Sequence, residues 1–248
     1  MSEYSRAFYQ DLQNTALPSA QRIVPLLLEW FAPRCVIDVG CGDGSWLSVF
    51  GDLGVADIQG LDGFWVDAAQ LRIPQNQFRR CEIDKNIGVE RRFDLAMSVE
   101  VAEHLPATRA PGYVAELAAL APVVLFSAAI PEQGGLHHVN EQWPDYWAGL
   151  FAQHGYRCAD VLRWRIWDDP AVTWWYKQNL LLFATDQVIA SNPKLRDAMA
   201  RAPAAPPAVV HPERFLQSVR LTRPSLGRWL KMAPDAVRRA LGHRGEPR

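Results

Sequence analysis

Short apolar runs alternate with segments of helical periodicity along most of the chain. The apolar runs predict strands at 34–39, 58–61, 78–83, 93–98, 123–128, 157–163 and 180–184. Apolar residues that recur every three to four positions predict helices at 20–30, 45–53, 109–120 and 141–154, with Ser19 as the N-cap of the first. Such alternation is typical of an α/β domain, so we expect a seven-stranded, mostly parallel sheet with helices on both faces.

The composition is that of an ordinary globular protein. Of the 248 residues, 49% are hydrophobic and 21% are charged, which is close to the average for folded domains. No apolar run approaches the roughly 18 residues that span a bilayer, and the first residues lack the basic and apolar segments of a secretory signal. The four cysteines form no CxxC pair, which favours reduced thiols. We therefore expect a cytoplasmic protein.

Charge is divided unevenly along the chain. Residues 187–248 carry 12 Lys and Arg against 4 Asp and Glu, a balance of +8, and subtraction from the totals leaves 14 basic and 23 acidic residues in 1–186. We expect the main domain at 1–186 and a basic, proline-rich helical extension at 187–248, in which 225–241 forms an amphipathic helix. That helix is suited to peripheral contact with an anionic membrane, to docking on the acidic domain, or to pairing in a homodimer. No motif indicates a nucleic-acid partner.

A glycine-rich turn follows the first predicted strand. Gly40, Gly42 and Gly44 stand at alternate positions, and a helix is predicted to begin directly after them. Glycine permits positive φ angles and lets the backbone approach a ligand closely, while N–H groups at the start of a helix attract an anionic group. A dinucleotide-binding turn requires G-x-G-x-x-G, whereas the sixth position here is Ser45. The turn therefore predicts a cofactor other than a dinucleotide.

Acidic residues accompany three successive strands. Asp38 lies two residues before the first glycine, where a carboxylate suits a cofactor that carries an ammonium group and a sulfonium. Asp62 follows the second strand and can accept hydrogen bonds from two ribose hydroxyls. Asp84 follows the third strand and can accept one from an adenine amino group, with Ile83 against the ring. Each is an ordinary turn residue by itself, but their common register behind the glycines predicts a cofactor site.

These residues resemble those of the class I, Rossmann-like methyltransferases that use S-adenosylmethionine. Within that class the chain is similar to a bacterial subgroup associated with glycan and natural-product biosynthesis. The resemblance covers roughly 20–186 and includes the glycine motif together with the segments 93–105, 134–143, 167–170 and 174–179. It implies methyl transfer from S-adenosylmethionine and leaves the acceptor open.

The segment after the fourth strand narrows the choice of acceptor atom. Enzymes of this class that methylate planar amino nitrogens place Asn/Asp-Pro-Pro-Tyr/Phe there, whereas this chain has Ser98-Val99-Glu100-Val101. The Pro-Cys nucleophile of cytosine C5 chemistry does not occur in the main domain either. An oxygen acceptor with a side-chain base is therefore favoured. Ser98 and Glu100 are expected to bind the cofactor, and Glu100 is alternatively a contact of the acceptor.

Two histidines are candidates for that base. His138 is preferred because it lies in a glycine-rich loop after the fifth strand, at the sheet edge where α/β proteins bind ligands, and because imidazole titrates near neutrality. His104, one helical turn beyond Glu100, is the second choice. Either could instead hold its segment in place by hydrogen bonds. We predict no metal, because the neighbours His137 and His138 would point apart and no third ligand has suitable spacing.

Six of the ten tryptophans lie between 143 and 175. Trp164, Trp167 and Trp174 fall in a polar segment with acidic residues, a composition that suits contact with a sugar ring or serves packing. The leading hypothesis is an O-methyltransferase for a sugar hydroxyl of a glycan, glycolipid or glycosylated metabolite. The alternatives are a methyltransferase for a small phenol or carboxylate, and a binding protein that keeps the cofactor fold without catalysis.

Overall fold

The computed structural model describes residues 6–222 of the chain. Its sheet has seven strands in the spatial order β3-β2-β1-β4-β5-β7-β6, which confirms the predicted number. The strands are β1 (Cys35–Val39), β2 (Asp57–Asp62), β3 (Phe78–Arg80), β4 (Leu95–Val99), β5 (Val123–Ser127), β6 (Tyr156–Ala159) and β7 (Leu181–Thr185).

The sheet is mostly parallel, as predicted. β1, β2, β3, β4 and β5 run in one direction, and only β7 is antiparallel to its two neighbours, β5 and β6. Six carboxyl ends therefore meet at one edge of the sheet, together with the amino end of β7. Residues that immediately follow β1, β2, β4 and β5, or that precede β7, are brought together at that edge.

The helices of the described residues are α1 (Arg6–Leu28), α2 (Ser45–Asp52), α3 (Ala110–Leu120), α4 (Pro144–Ala152), α5 (Arg163–Ile166), α6 (Trp174–Asn179), α7 (Asp186–Ser191), α8 (Pro193–Ala200) and α9 (Pro212–Thr222). Alternate residues of the strands face two separate cores: Val36 packs with α1 and α2, whereas its neighbour Ile37 packs with α3 and α4. Helices therefore cover both faces, which the alternating pattern predicted.

Three sequence predictions about these elements are wrong. Ser19 is not an N-cap, because α1 begins at Arg6 and the buried Ser19 hydroxyl donates to the carbonyl of Thr15 within the helix. The sixth strand ends at Ala159 instead of continuing to 163. Arg163 is fully buried in α5, where its guanidinium donates to the Asp160 carboxylate over 2.6 Å and 2.8 Å. The third strand ends at Arg80 instead of continuing to 83.

The chain divides into two compact units, Met1–Val209 and Val210–Arg248. The first unit extends past the boundary expected at 186 and includes α8, whose Leu195 is fully buried. Within the second unit the structure describes α9, and the amphipathic helix predicted at 225–241 lies outside the described residues. In the part of the chain that the structure describes, no helix has the length and apolar character of a membrane span.

Candidate active site

The glycine-rich turn connects β1 to α2 through three left-handed residues. Gly40, Gly42 and Gly44 have φ angles of +87°, +56° and +80°. A Cβ on Gly40 would also lie 2.3 Å from Cγ2 of Val101, which follows β4. Both the backbone angle and the close approach therefore require glycine at position 40, and the turn lies directly against the segment after β4.

Asp62 holds this turn against the end of β2. Its buried carboxylate accepts the Gly42 N–H over 2.7 Å and the Gly63 N–H over 2.6 Å, and it also bonds the Trp65 side chain. Burial raises the pKa of Asp62 to about 6, and the backbone donors oppose part of that shift. These bonds thus hold the carboxylate in one position beside the glycine-rich turn.

Asp38 is a second buried carboxyl at the turn. It is 2% exposed, and no hydrogen bond to its carboxyl is found among the described residues. Burial raises the pKa of Asp38 to about 7, and the nearby Asp62 and Asp43 add to the shift. Asp43 differs, because it accepts two bonds from Ser45 and pairs with Arg72 over 3.0 Å. A positively charged group beside Asp38 would therefore offset the free-energy cost of burying this carboxylate.

Buried polar side chains gather where β4 and β5 end. Glu100 has a positive φ of 56°, and its N–H donates to Ser127 at the end of β5. Its carboxylate accepts the Asn179 amide over 3.1 Å and the Gln133 amide over 3.3 Å. Burial raises the pKa of Glu100, and the hydrogen bonds oppose that shift. Sequence reasoning missed Gln133, which lies in the loop after β5, and Asn179, which reaches Glu100 because β7 runs antiparallel to β5.

The two candidate histidines lie together. The rings of His104 and His138 have centroids 4.9 Å apart and are nearly perpendicular. His138 Nδ1 lies 2.9 Å from a carboxylate oxygen of Glu141, three residues later. Burial lowers the pKa of His104 to about 4, so this imidazole is neutral at pH 7. The loop that carries His138 is held in place by Glu103, whose carbonyl accepts the N–H groups of Val139 and Asn140.

A comparison with protein families identifies the fold that carries this site. Residues 11–168 match the family described as a methyltransferase domain. The chain belongs to this family. The assignment confirms the enzyme class that the resemblance implied, with S-adenosylmethionine as the methyl donor. The biosynthetic subgroup that the resemblance suggested stays a prediction.

Solved structures show the same fold at low sequence identity. The methyltransferase is 13% identical to a protein from Nostoc punctiforme PCC 73102 that is provisionally named an O-methyltransferase, with a TM-score of 0.51, covering 72% of this chain and 59% of that one. It is 19% identical to TnmH, with a TM-score of 0.51, covering 73% of this chain and 56% of that one. The chain thus spans less than two thirds of either protein. Comparison with curated protein sequences gives no match.

The residues at the turn of the methyltransferase fit its methyl donor. The donor carries an ammonium group and a sulfonium, and Asp38 is a buried carboxyl that a cation would stabilise. The glycines leave the backbone open to close approach, and Asp62 is fixed beside them. The structure therefore brings Asp38, the three glycines and Asp62 to one place, and their contacts with the donor stay predictions.

Other predicted contact residues are placed differently. Ser98 lies on β4 with its hydroxyl 2.7 Å from that of Tyr113 in the buried interface with α3. Asp84 is exposed in a turn after β3, next to the buried Ile83. The segment expected as a polar loop at 164–174 holds α5 and the start of α6, in which the rings of Trp164 and Trp167 are 5.2 Å apart. Their roles toward cofactor or acceptor stay predictions.

Proposed function

We propose that this methyltransferase transfers the methyl group to an oxygen acceptor, a sugar hydroxyl of a glycan, glycolipid or glycosylated metabolite. The supporting observation is the set of polar side chains where β4 and β5 end. Glu100, Gln133 and Asn179 form one hydrogen-bonded group there, and the histidine pair follows in the adjoining segments. Sugars are recognised mainly through hydrogen bonds to their hydroxyls, which such groups supply.

The glycine-rich turn, with the residues predicted to bind the cofactor, adjoins this polar group. Val101 contacts the Gly40 backbone on one side and follows Glu100 on the other. Bound S-adenosylmethionine supplies a methyl group on a positively charged sulfur, which needs no further activation. Alignment of the two reactants contributes about 7–11 kcal/mol to such a reaction. The remaining task for the protein is to hold the hydroxyl and assist loss of its proton.

His138 is the residue we propose for that task. Its Nδ1 faces the Glu141 carboxylate, an arrangement that fixes the ring and leaves Nε2 with its lone pair. An imidazole held in this way acts in one of two ways. It takes the proton itself, which contributes roughly 10²–10⁴ in rate, or it binds a cation that lowers the pKa of the hydroxyl. The general base predicted from the sequence is the first of these.

The test is methyl transfer from labelled S-adenosylmethionine to a panel of acceptors. We expect transfer to hydroxyl-bearing saccharides, with loss of turnover and retained donor binding in His138→Ala. His154→Ala is the matched control, because His154 is exposed beyond the end of α4. Transfer only to phenols or carboxylates would replace the sugar acceptor with the small-molecule alternative. A phenol needs less help from a base, since its pKa is near 10.

A further inference from the structure

Glu103, His104 and His138 form a cluster of metal-ligand type beyond the cofactor turn. One ligand atom from each of the three lies within 4.8 Å of the others. His104 and Glu103 lie in a short 3-10 helix after β4, whereas His138 lies in the loop after β5. His137, the neighbour of His138, does not belong to the cluster. Because the three residues come from two separate segments, no regular spacing in the sequence indicates the set.

Several acceptor atoms of this cluster lack a hydrogen bond of regular geometry among the described residues. Glu103 is fully buried, and among the described residues neither of its carboxylate oxygens has a hydrogen bond of regular distance and angle; the Ala129 N–H and the Glu100 carboxyl are the polar groups near it. His104 Nδ1 is also buried without a partner. His138 has Nδ1 engaged with Glu141, and its second nitrogen remains. Buried polar atoms are nearly always paired in folded proteins, so several unpaired acceptors facing one another indicate a missing positively charged ligand.

The surrounding groups favour a metal ion over a bound water. A water donates only two hydrogen bonds, which would leave one of the three ligand groups unpaired. Histidine ligands usually have their other nitrogen bonded to a carboxylate or a backbone carbonyl. Here His138 is bonded to Glu141, and His104 is bonded to the His137 backbone. Both imidazoles are thus oriented in the manner of metal ligands.

We propose that Glu103, His104 and His138 bind one divalent transition-metal ion, of the kind that accepts mixed nitrogen and oxygen ligands, such as Mn²⁺, Co²⁺ or Zn²⁺. Ligand bonds of about 2.0–2.2 Å place neighbouring ligand atoms about 3–4 Å apart. The present separations need only small side-chain rotations to reach that geometry. This assignment replaces the sequence prediction of no metal.

The role of the ion rests on the proposed function. Three protein ligands leave coordination positions open, and an acceptor hydroxyl, or two adjacent hydroxyls of a sugar, would fill them. A bound cation lowers the pKa of an oxygen ligand. The hydroxyl proton then passes to solvent water, the oxygen forms its bond to the methyl carbon, and the carbon–sulfur bond breaks with its electron pair remaining on sulfur. His138 is in this case a ligand and not the base.

The test is a titration of the metal-free full-length chain with Co²⁺, followed by visible absorption and calorimetry. We expect one ion per chain, with absorption bands characteristic of imidazole ligation. His104→Ala and His138→Ala should each weaken Co²⁺ binding at least tenfold, and Glu103→Gln should weaken it as well. The matched control His154→Ala should bind like the unchanged chain. Absence of a saturable site, or unchanged affinity in both histidine variants, would overturn the assignment.

Separate measurements keep this inference distinct from the proposed function. Binding of S-adenosylmethionine by the three variants shows that they are folded, since the donor residues lie at the glycine turn. Co²⁺ binding without any transfer to saccharides would refute the sugar acceptor and leave the metal site intact. Conversely, saccharide methylation that persists in His104→Ala and in the presence of a chelator would refute the role of the ion while leaving the acceptor intact.

Discussion

Gly40 and Val101 lie so close that position 40 has no room for a side chain beside the Val101 methyl groups. A Cβ on Gly40 would meet Cγ2 of Val101 at 2.3 Å, and Gly40 also has a φ of +87°. Val101 stands between Glu100 and Glu103, in the segment that follows β4. The contact therefore joins the glycine-rich turn to the segment that carries Glu100 and Glu103.

We expect Gly40→Ala to lower the free energy of unfolding by about 2–5 kcal/mol. A left-handed angle costs a residue with a Cβ about 1–2 kcal/mol, and overlap with a packed neighbour costs about 1–3 kcal/mol. Urea unfolding measures the change. Gly54→Ala is a matched control, because Gly54 has a φ of +96° with nothing within 4 Å of the added Cβ. Gly54→Ala should show only the loss of unfolding free energy that comes from the left-handed backbone angle.

The double variant Gly40→Ala/Val101→Ala separates the two contributions. It removes the overlap but keeps the unfavourable angle, so we expect a coupling energy of about 1–2 kcal/mol in a double-mutant cycle. Additive losses of unfolding free energy would show that the Val101 side chain moves aside at no cost. The turn would then not be packed tightly against the segment after β4.

The order of strands and helices was predictable because apolar periodicity reports local burial. Predictions failed where a long-range contact decided the outcome. Arg163 could not be assigned to a helix from the sequence, because its buried pairing with Asp160 and its bond to the Gln178 carbonyl depend on the fold. The extra length of α1 was missed for a different reason. Pro18 and Pro25 lie inside that helix, and proline normally argues for a boundary.

Asp62→Ala should weaken binding of S-adenosylmethionine at least tenfold, or by about 1.4 kcal/mol. The change removes a carboxylate that accepts two backbone N–H groups and thereby fixes the turn, besides its predicted contact with the ribose. Calorimetry measures the affinity. Asp52→Ala, an exposed change at the end of α2, should bind normally. If Asp62→Ala binds as tightly as the unchanged chain, Asp62 is not a donor contact.

Asp84→Ala tests the predicted adenine contact in the same experiment. Asp84 is exposed, so its replacement should leave stability unchanged and act only on binding. A single hydrogen bond contributes about 0.5–1.5 kcal/mol, which corresponds to a loss of roughly twofold to tenfold in affinity. Unchanged affinity would remove Asp84 from the cofactor site.

The acceptor side was less predictable than the cofactor turn. The turn is a contiguous motif, so its residues can be recognised from order and spacing alone. His104 and His138 were both identified as candidates, but as alternatives, although the structure places their rings in contact. Glu103 was given no chemical role, because nothing in the sequence shows that its carboxylate is fully buried. Sites assembled from several strand ends lack the local signal that a continuous turn provides.

Donor affinity should increase with pH because of Asp38. Its pKa of about 7 means that it is protonated below that pH in the free chain, and it must lose the proton to pair with a cationic group. The affinity should therefore rise about tenfold between pH 6 and pH 8. Calorimetry in buffers of different ionisation enthalpy should show proton release on binding at pH 6.

Asp38→Asn isolates that effect. The amino group of the donor also titrates near this range, but it does so with both proteins, so the difference between them reports Asp38 alone. The variant should bind more weakly at pH 8 and should lack the proton release at pH 6. Equal pH profiles for the two proteins would show that Asp38 does not face the charged part of the donor.

Glu103→Leu should stabilise the metal-free protein while abolishing its metal binding. A fully buried carboxyl without a partner is unfavourable, and replacing such a group with an apolar side chain of similar volume is often neutral or stabilising. We expect a rise of about 1 kcal/mol in the free energy of unfolding, measured in urea with a chelator present.

When Mn²⁺ is added in excess, the unchanged chain should gain stability, because an ion that binds only the folded state shifts the equilibrium toward it. Glu103→Leu should gain no stability from Mn²⁺, so the unchanged chain should then be the more stable of the two proteins. If Glu103→Leu is less stable than the unchanged chain both with chelator and with Mn²⁺, Glu103 stabilises the fold directly and is not a metal ligand.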